Sequence, residues 1–142
     1  MNNIEKMVIS ILDNPKLCVR TSISNDLASA VYTQDCPELL IPLLESQNDE
    51  ILHACIWIAS ELGQKSYSLL PYIVELLIHN DSFIRYYALD CIHASYQKIQ
   101  FETNDLHELI MNKVSFCLND LDESVREKAE CVITALMGSK NE

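Results

Sequence analysis

The sequence predicts an all-α protein, an α-α superhelix (solenoid) of about three to four helix pairs. Three observations lead to this prediction. The 142 residues include only 2 glycines and 4 prolines, too few for the tight turns of a β-rich fold. Apolar residues recur at spacings of three and four, as on one face of an α-helix. A two-helix plan then recurs along the chain at intervals typical of helical arrays.

Residues 1–34 are predicted to form a helix pair that caps the array. One helix is expected from Asn3 to Leu12 and a second from Lys16 to Tyr32. Val19 precedes Leu52 by about one repeat length, so this pair can also be interpreted as a degenerate fourth unit. We favour a cap, because the ends of a helical array must present a polar outer face.

Three later segments share an apolar helix, a short polar break that contains aspartate, and a second apolar helix. Asp49, Asp81 and Asp122 stand just before the second helices, where a carboxylate can accept hydrogen bonds from free backbone N–H groups. Arg85 and Arg126 follow Asp81 and Asp122 by four residues, within reach on a helix. The predicted units, within a single helical-repeat domain over residues 1–142, are 37–63, 67–96 and 105–137, with Gln97 to Asp105 as an enlarged loop.

The second helices of the last two units also share a motif of Asp, an aliphatic residue, Arg and a later Ala. The motif reads Asp81-Ser82-Phe83-Ile84-Arg85 with Ala88, and Asp122-Glu123-Ser124-Val125-Arg126 with Ala129. Together with the Leu-rich, Pro-containing first helices and Leu62-Gly63 at the end of the first unit, residues 37–137 resemble the HEAT-like repeat family, especially its short phycobilin-lyase-type units. The first unit departs from the pattern with His53 where arginine is usual, and the spacing lengthens before the third.

The charge predicts the kind of partner. With 21 acidic and 10 basic residues the net charge is −11, which repels phosphate backbones and anionic lipid and attracts basic proteins. Between Arg20 and Lys65 there is no basic residue, although seven acidic residues lie there. We therefore expect a basic protein partner, and neither nucleic acid nor membrane. The alternative is an acidic surface that serves only solubility.

The sequence also predicts the compartment and the state of the cysteines. No apolar run is long enough for a membrane span, and the first residues lack the order of a signal peptide, so a cytoplasmic protein is expected. Six cysteines are scattered without a C-x-x-C pair, and most fall in apolar runs. We expect them to be reduced and buried as small hydrophobic side chains.

The partner is expected to bind the sides of the second helices that point away from the core. With Leu52, Ile56 and Ala59 as the buried centre of one such helix, Trp57 and Glu61 lie on its far side. The alternative is that this helix is buried all round and Trp57 belongs to the core. The predicted partner-binding strip, acidic and containing aromatics, consists of Trp57, Glu61, Tyr86, Asp90, His93, Glu127 and Glu130.

No catalytic motif accompanies this strip. There is no nucleophile elbow, no glycine-rich phosphate loop and no H-E-x-x-H, and the four histidines form no zinc set, so no catalytic residue, cofactor or metal is expected. The chain is predicted to be a non-enzymatic protein-binding module. We favour an acidic inhibitor that covers a basic target, as immunity proteins and antitoxins do for nuclease toxins.

Two other functions stay open at this point. One is an adaptor or structural subunit of a larger assembly. The other is an enzyme, because proteins with HEAT-like repeats include phycobilin lyase subunits and alkylpurine DNA glycosylases. A glycosylase needs a basic track for the DNA backbone, and the charge of this chain argues against one.

Overall fold

A computed structural model describes residues 1–100 and 105–138. These residues form helices joined by short turns, and no β-strand occurs among them, which confirms the all-α prediction. The α-helices are α1 (Asn3–Asp13), α2 (Leu17–Arg20), α3 (Ile23–Gln34), α4 (Ile41–Leu44), α5 (Asp49–Glu61), α6 (Leu70–Ile73), α7 (Ser82–Ala94), α8 (Tyr96–Gln100), α9 (Asp105–Cys117) and α10 (Glu123–Gly138), and the 3-10 segments are Pro37–Leu40, Gly63–Leu69 and Val74–Ile78.

Four of the longer helices pack side by side in the order α3, α5, α7 and α10. Helix α5 contacts α3 and α7, and α7 contacts α5 and α10. Among the other segments, α4 contacts α5 and α9 contacts α10. Their buried apolar side chains, among them Ile56 and Leu89, form one cluster. Burial of an apolar stripe on each helix therefore holds the row together.

Side-chain oxygens cap α5, α7 and α10 at their N-termini, as expected, but the cap of α5 is not the predicted residue. Asp81 Oδ1 accepts a hydrogen bond from the Phe83 N–H at 2.8 Å, and Asp122 accepts one from the Val125 N–H at 3.3 Å. At α5 the cap is Asn48, whose Oδ1 accepts from the Ile51 N–H, and Asp49 is the first helical residue. Asn and Asp serve equally well as caps, so the sequence alone does not separate two neighbours of these types.

The helix predicted from Lys16 to Tyr32 is wrong, because the structure has two helices there. Thr21 has an extended backbone (φ −131°, ψ 170°) and separates α2 from α3. Its hydroxyl donates to the Leu17 carbonyl oxygen at 2.7 Å and accepts from the Ile23 N–H at 3.3 Å. One threonine thus stabilises the end of α2 and the start of α3.

The first helical segments of the predicted units 37–63 and 67–96 each combine 3-10 and α-helical turns. Pro42 and Pro71 lie at the start of α4 and α6, where the missing N–H of proline costs no hydrogen bond. Gly63 follows α5 with φ +58°, a conformation that favours glycine, and this confirms its predicted place after the helix.

The loop predicted from Gln97 to Asp105 is partly wrong. Residues 96–100 form α8, in which Ile99 is buried and its N–H donates to the Ser95 carbonyl oxygen at 3.2 Å. A single apolar anchor is enough to order this turn of helix within a polar stretch. Asp105 begins α9, and residues 101–104 lie outside the described part of the chain.

Polar contacts join consecutive helices of the row through their capping turns. His53 Nε2 of α5 lies 2.6 Å from Asp81 Oδ2, just before α7. Arg85 of α7 donates from Nε and Nη2 to the two carboxylate oxygens of Asp120, just before α10, at 2.8 and 2.9 Å. We call these two contacts, His53 with Asp81 and Arg85 with Asp120, the turn ladder.

The turn ladder corrects the expected contacts of Arg85 and Arg126 with the aspartates four residues earlier. The carboxylate of Asp81 is already bonded to the Phe83 N–H and to His53, so Arg85 extends to Asp120 instead. Arg126 donates to the main-chain carbonyl oxygen of Asp120 at 2.7 Å. Burial by itself would raise the pKa of Asp120. The hydrogen bonds from Arg85 and from the Asp122 N–H, together with the positive charges of Arg85 and Arg126, outweigh burial and lower this pKa below its usual value.

Candidate functional site

A groove of about 650 Å³ lies between α7 and α10. The helices pack closely enough to bury the small side chains of Ala88 and Ala129 completely, which leaves the larger side chains at the edges of the contact to line the groove. Its lining combines aromatic rings with charged and hydroxyl groups. The lining residues are Ser82, Phe83, Tyr86, Tyr87, Asp122, Ser124, Glu127, Lys128 and Cys131.

Two smaller grooves lie along α3 and α5, with volumes of about 380 and 230 Å³. Trp57 lines both of them and is also partly buried against the core. Asp49, Glu50 and His53 line the larger one, and Glu61 lines the smaller one together with Tyr32. These two grooves are therefore aromatic and acidic, like the first.

His53 and Phe83 connect the grooves along α5 with the groove between α7 and α10. Their rings stack with centroids 4.4 Å apart and an interplanar angle of 2°. Phe83 in turn packs on Tyr87 at 4.6 Å, and Tyr87 on Tyr86 at 5.3 Å. Asp81 fixes the orientation of His53 through the turn ladder. The three grooves thus form one continuous surface, which we call the grooved surface.

Carboxylates outnumber cations on the grooved surface. The aromatic rings are interleaved with Asp49, Glu50, Glu61, Asp122 and Glu127, whereas Lys128 is the one lysine or arginine among the lining residues described. The Lys128 ammonium is already paired, since Nζ lies 2.8 Å from Asp90 Oδ1. The net field of this surface is therefore negative, and clefts with low-dielectric walls concentrate such a field.

Lys128 is held by a cluster of groups from α7. Its Nζ lies 3.4 Å from His93 Nδ1 and 5.8 Å from the centroid of the Tyr86 ring, in addition to the contact with Asp90. Burial and the neighbouring ammonium both lower the pKa of His93. His93 is therefore neutral at neutral pH and can accept a hydrogen bond from Lys128.

The structure brings most of the predicted strip together and assigns its members different environments. Four of its residues line the grooved surface, and Trp57 among them also packs against the core. Two others, Asp90 and His93, contact Lys128 rather than lie open. Glu130 is exposed on α10 and does not line the grooves. The four lining residues are Trp57, Glu61, Tyr86 and Glu127.

Sequence reasoning missed His53, Phe83, Tyr87 and Lys128. The signal for Phe83 and Tyr87 was present, because positions 83, 86, 87 and 90 have the spacing of one helical face. In the sequence His53 stands out only as a departure from the repeat pattern, and its stacking on Phe83 depends on how α5 and α7 pack. The pairing of Lys128 with Asp90, on another helix, has no local signal in the sequence.

The prediction that the cysteines are buried is wrong for Cys131, which is exposed and lines the groove between α7 and α10. Cys55, Cys91 and Cys117 are buried as predicted, and each thiol points to a main-chain carbonyl oxygen of another segment at 3.8 to 4.0 Å. Burial raises the pKa of all three thiols, that of Cys117 to about 11. A thiolate is the reactive form, so burial and protonation both protect them.

We therefore expect one thiol of the native protein to react ahead of the others with a water-soluble disulfide reagent near pH 8. Cys131→Ser should abolish this fastest phase, and the three buried thiols should react only when the protein unfolds. Absorbance of the released thiolate measures both. Cys36→Ser is the matched control, since Cys36 is half-buried. A fast phase that survives in Cys131→Ser would contradict the assignment.

Two other features do not occur among the described residues: a metal-binding cluster and a membrane-spanning helix. Among them, no three His, Cys, Asp or Glu side chains converge in a way that could hold a metal ion. None of the helices within the described ranges has the length and apolar character needed to cross a bilayer. Comparison of the chain with models of known protein families gave no match, and comparison with curated proteins gave none either.

Proposed function

We propose that this chain is a non-enzymatic protein-binding module and that its grooved surface binds a basic polypeptide. The observation that carries the proposal is the composition of that surface: five carboxylates interleaved with aromatic rings, and one lysine whose charge Asp90 already neutralises. Aromatic side chains supply contact area, and an acidic field attracts a positively charged protein and selects against anionic ones. Phosphate backbones would be repelled by the same field.

The proposed architecture is a short HEAT-like superhelix of helix pairs, in which α3, α5, α7 and α10 are the second helices. Their packing in chain order supports it, as do the repeated Asp-capped starts and the turn ladder between consecutive helices. In such arrays, equivalent sides of successive second helices form one extended binding surface. The grooved surface follows that side of α3, α5, α7 and α10.

Within this class we propose an inhibitory role, in which the module covers the basic surface of a target such as a nuclease toxin. An immunity-type inhibitor has to compete with a polyanionic substrate for a cationic site. A row of carboxylates with aromatic anchors between them meets that requirement, because it offers both the charge of the substrate and apolar contact that the substrate backbone lacks.

The test is charge reversal at two exposed carboxylates of the grooved surface, Glu61→Lys together with Glu127→Lys. We expect the partner captured from source cells, once purified, to bind this variant about tenfold more weakly, because two attractive charges become repulsive. Calorimetry at several salt concentrations measures the affinity. The affinity of the unchanged chain should fall as salt rises, since exposed charges are screened.

The matched control is Glu45→Lys with Glu75→Lys. Both carboxylates are exposed, and both line a separate cleft between the first-helix segments α4 and α6. This variant has the same net charge as the first. An equal loss of affinity in the two variants would therefore indicate a global charge effect and contradict the assignment of the grooved surface as the binding site. Thermal unfolding should be nearly unchanged in both, because exposed carboxylates contribute little to stability.

A second candidate function, a subunit of a larger assembly, is favoured by exposed apolar side chains around α9 and α10. Phe116 is 75% exposed and Leu121 in the following turn is 99% exposed. Large exposed apolar side chains that lie close together are typical of contact sites, and Phe116 and Leu121 lie at the same turn. An assembly of this kind would use the α9 side of the molecule rather than the grooved surface.

A further inference from the structure

We propose that the groove between α7 and α10 takes an arginine side chain of the basic partner, and that Lys128 limits how tightly this arginine binds. The inference rests on the proposed function, because it names the residue type that anchors the partner on the grooved surface. It also proposes that Lys128 lowers the affinity of that site for the partner, in addition to its structural contacts.

The chemistry of the lining matches a guanidinium group. Phe83, Tyr86 and Tyr87 offer ring faces and edges, and a planar guanidinium stacks on aromatic rings and gains from cation–π attraction. Asp122 and Glu127 offer carboxylates, and neither takes part in any of the ion pairs formed among the described residues. A carboxylate can accept two parallel hydrogen bonds from arginine but only a single-point contact from lysine.

Tyrosine rings at both ends of the grooved surface already hold cations of the chain itself. Lys65 Nζ lies 4.0 Å from the centroid of the Tyr32 ring and also donates to the Tyr32 carbonyl oxygen at 3.0 Å. Lys128 Nζ lies 5.8 Å from the centroid of Tyr86. These internal contacts have the same chemistry as the one proposed for the partner, and the longer one leaves the Tyr86 ring less fully occupied.

Lys128 opposes an incoming cation in two ways. Its positive charge lines the groove that an arginine would enter, and like charges close together repel. Its ion pair with Asp90 also neutralises a carboxylate that would otherwise add to the attraction. The Lys128 side chain is only 16% exposed, so its ammonium is held in this place rather than free in solvent. Removal of the Lys128 charge should therefore strengthen binding of a basic ligand.

The test uses Lys128→Met, which keeps an unbranched apolar stem and removes the charge. The probes are a peptide of alternating arginine and glycine with blocked ends and the matching peptide with lysine, titrated by NMR at low ionic strength while the tyrosine ring protons are followed. The unchanged chain should bind the arginine peptide about fivefold more tightly than the lysine peptide. Lys128→Met should bind the arginine peptide about fivefold more tightly than the unchanged chain.

Two further variants separate a local effect from a global one. Lys6→Met removes one positive charge from an exposed position on α1 and should change the affinity by less than about twofold. Lys128→Met combined with Asp90→Asn restores the net charge of the unchanged chain and should lose most of the gain. An equal gain in Lys6→Met would overturn the inference.

The remaining outcomes distinguish failure of this inference from failure of the proposed function. Equal binding of the two peptides, or no gain in Lys128→Met, would overturn the arginine anchor and leave the acidic surface intact if charge reversal at Glu61 and Glu127 still weakens the captured partner. Absence of peptide binding would also overturn the anchor. Only a captured partner that is insensitive to that charge reversal would overturn the proposed function itself.

Discussion

Arg85→Ala is expected to lower the free energy of unfolding by about 3 kcal/mol, the cost of leaving a largely buried carboxylate without its cation. Arg85 donates two hydrogen bonds to Asp120 and two more to the carbonyl oxygens of His79 and Asn80. The side chains of Arg85 and Asp120 are only 14% and 10% exposed, so water cannot replace the lost partners well. Urea-induced unfolding followed by circular dichroism at pH 7 measures the change.

Arg126→Ala is the matched control for this substitution. It removes the same charge next to the same turn, but Arg126 donates to the carbonyl oxygen of Asp120 rather than to its carboxylate. We expect a loss of about 1 kcal/mol, typical of one hydrogen bond. Equal losses in the two variants would mean that net charge, and not the pairing of Arg85 with Asp120, decides the stability.

The pairing of Arg85 with Asp120 should also affect how the stability of the protein depends on pH in acid. Because the folded state lowers the pKa of Asp120, the stabilisation is complete above the ordinary aspartate pKa of about 4 and is lost as pH falls through the lower value of the folded state. Arg85→Ala should therefore lose stability less steeply than the unchanged chain between pH 4 and pH 2. An unchanged slope would contradict the assigned cause of the lowered pKa.

Phe83→Ala should weaken binding of the basic partner by about 2 kcal/mol, about 30-fold, which is typical of a central aromatic anchor. Phe83 is 37% exposed and lies where the grooves meet, stacked on His53 and packed on Tyr87. Its loss would remove contact area and leave the neighbouring rings unsupported. Calorimetry with the purified partner measures the affinity, and thermal unfolding checks that the fold persists.

Phe116→Ala is the control, and it also separates the two candidate functions. Phe116 is 75% exposed, more than Phe83, but it lies on α9, outside the grooved surface. A partner held by the grooved surface should lose little affinity in this variant. If Phe116→Ala weakens association and Phe83→Ala does not, the α9 side is the contact site and the assembly function replaces the inhibitory one.

Local sequence signals predict most of the helices. They fail where a single side chain, such as the Thr21 hydroxyl or the buried Ile99, determines whether a segment is helical. The spacing of apolar residues placed α1 to within a residue, and Gly63 marked the end of α5. The break at Thr21 was missed, because the same residue type also occurs inside helices and its hydrogen bonds to both sides appear only in the folded chain. Ile99 gave α8 its anchor within a stretch whose composition indicated a loop.

The grooved surface was predictable in part from helical geometry. Helical geometry identifies Trp57, Glu61 and Tyr86, because each residue's position on its own helix decides whether it points away from the core. It could not find the pairing of Lys128 with Asp90 or the stack of His53 on Phe83, since both depend on how neighbouring helices are placed relative to one another. Such contacts join residues that are far apart in the chain, and they leave no periodic pattern in the sequence.

The turn ladder sets a limit on shortening the molecule from its C-terminal side. Helix α7 is joined to both of its neighbours in the row, because Asp81 just before it contacts His53 and Arg85 within it donates to Asp120. A chain cut after α7 would keep the largely buried guanidinium of Arg85 but lose the carboxylate that it binds. Such a truncation should therefore be tolerated poorly.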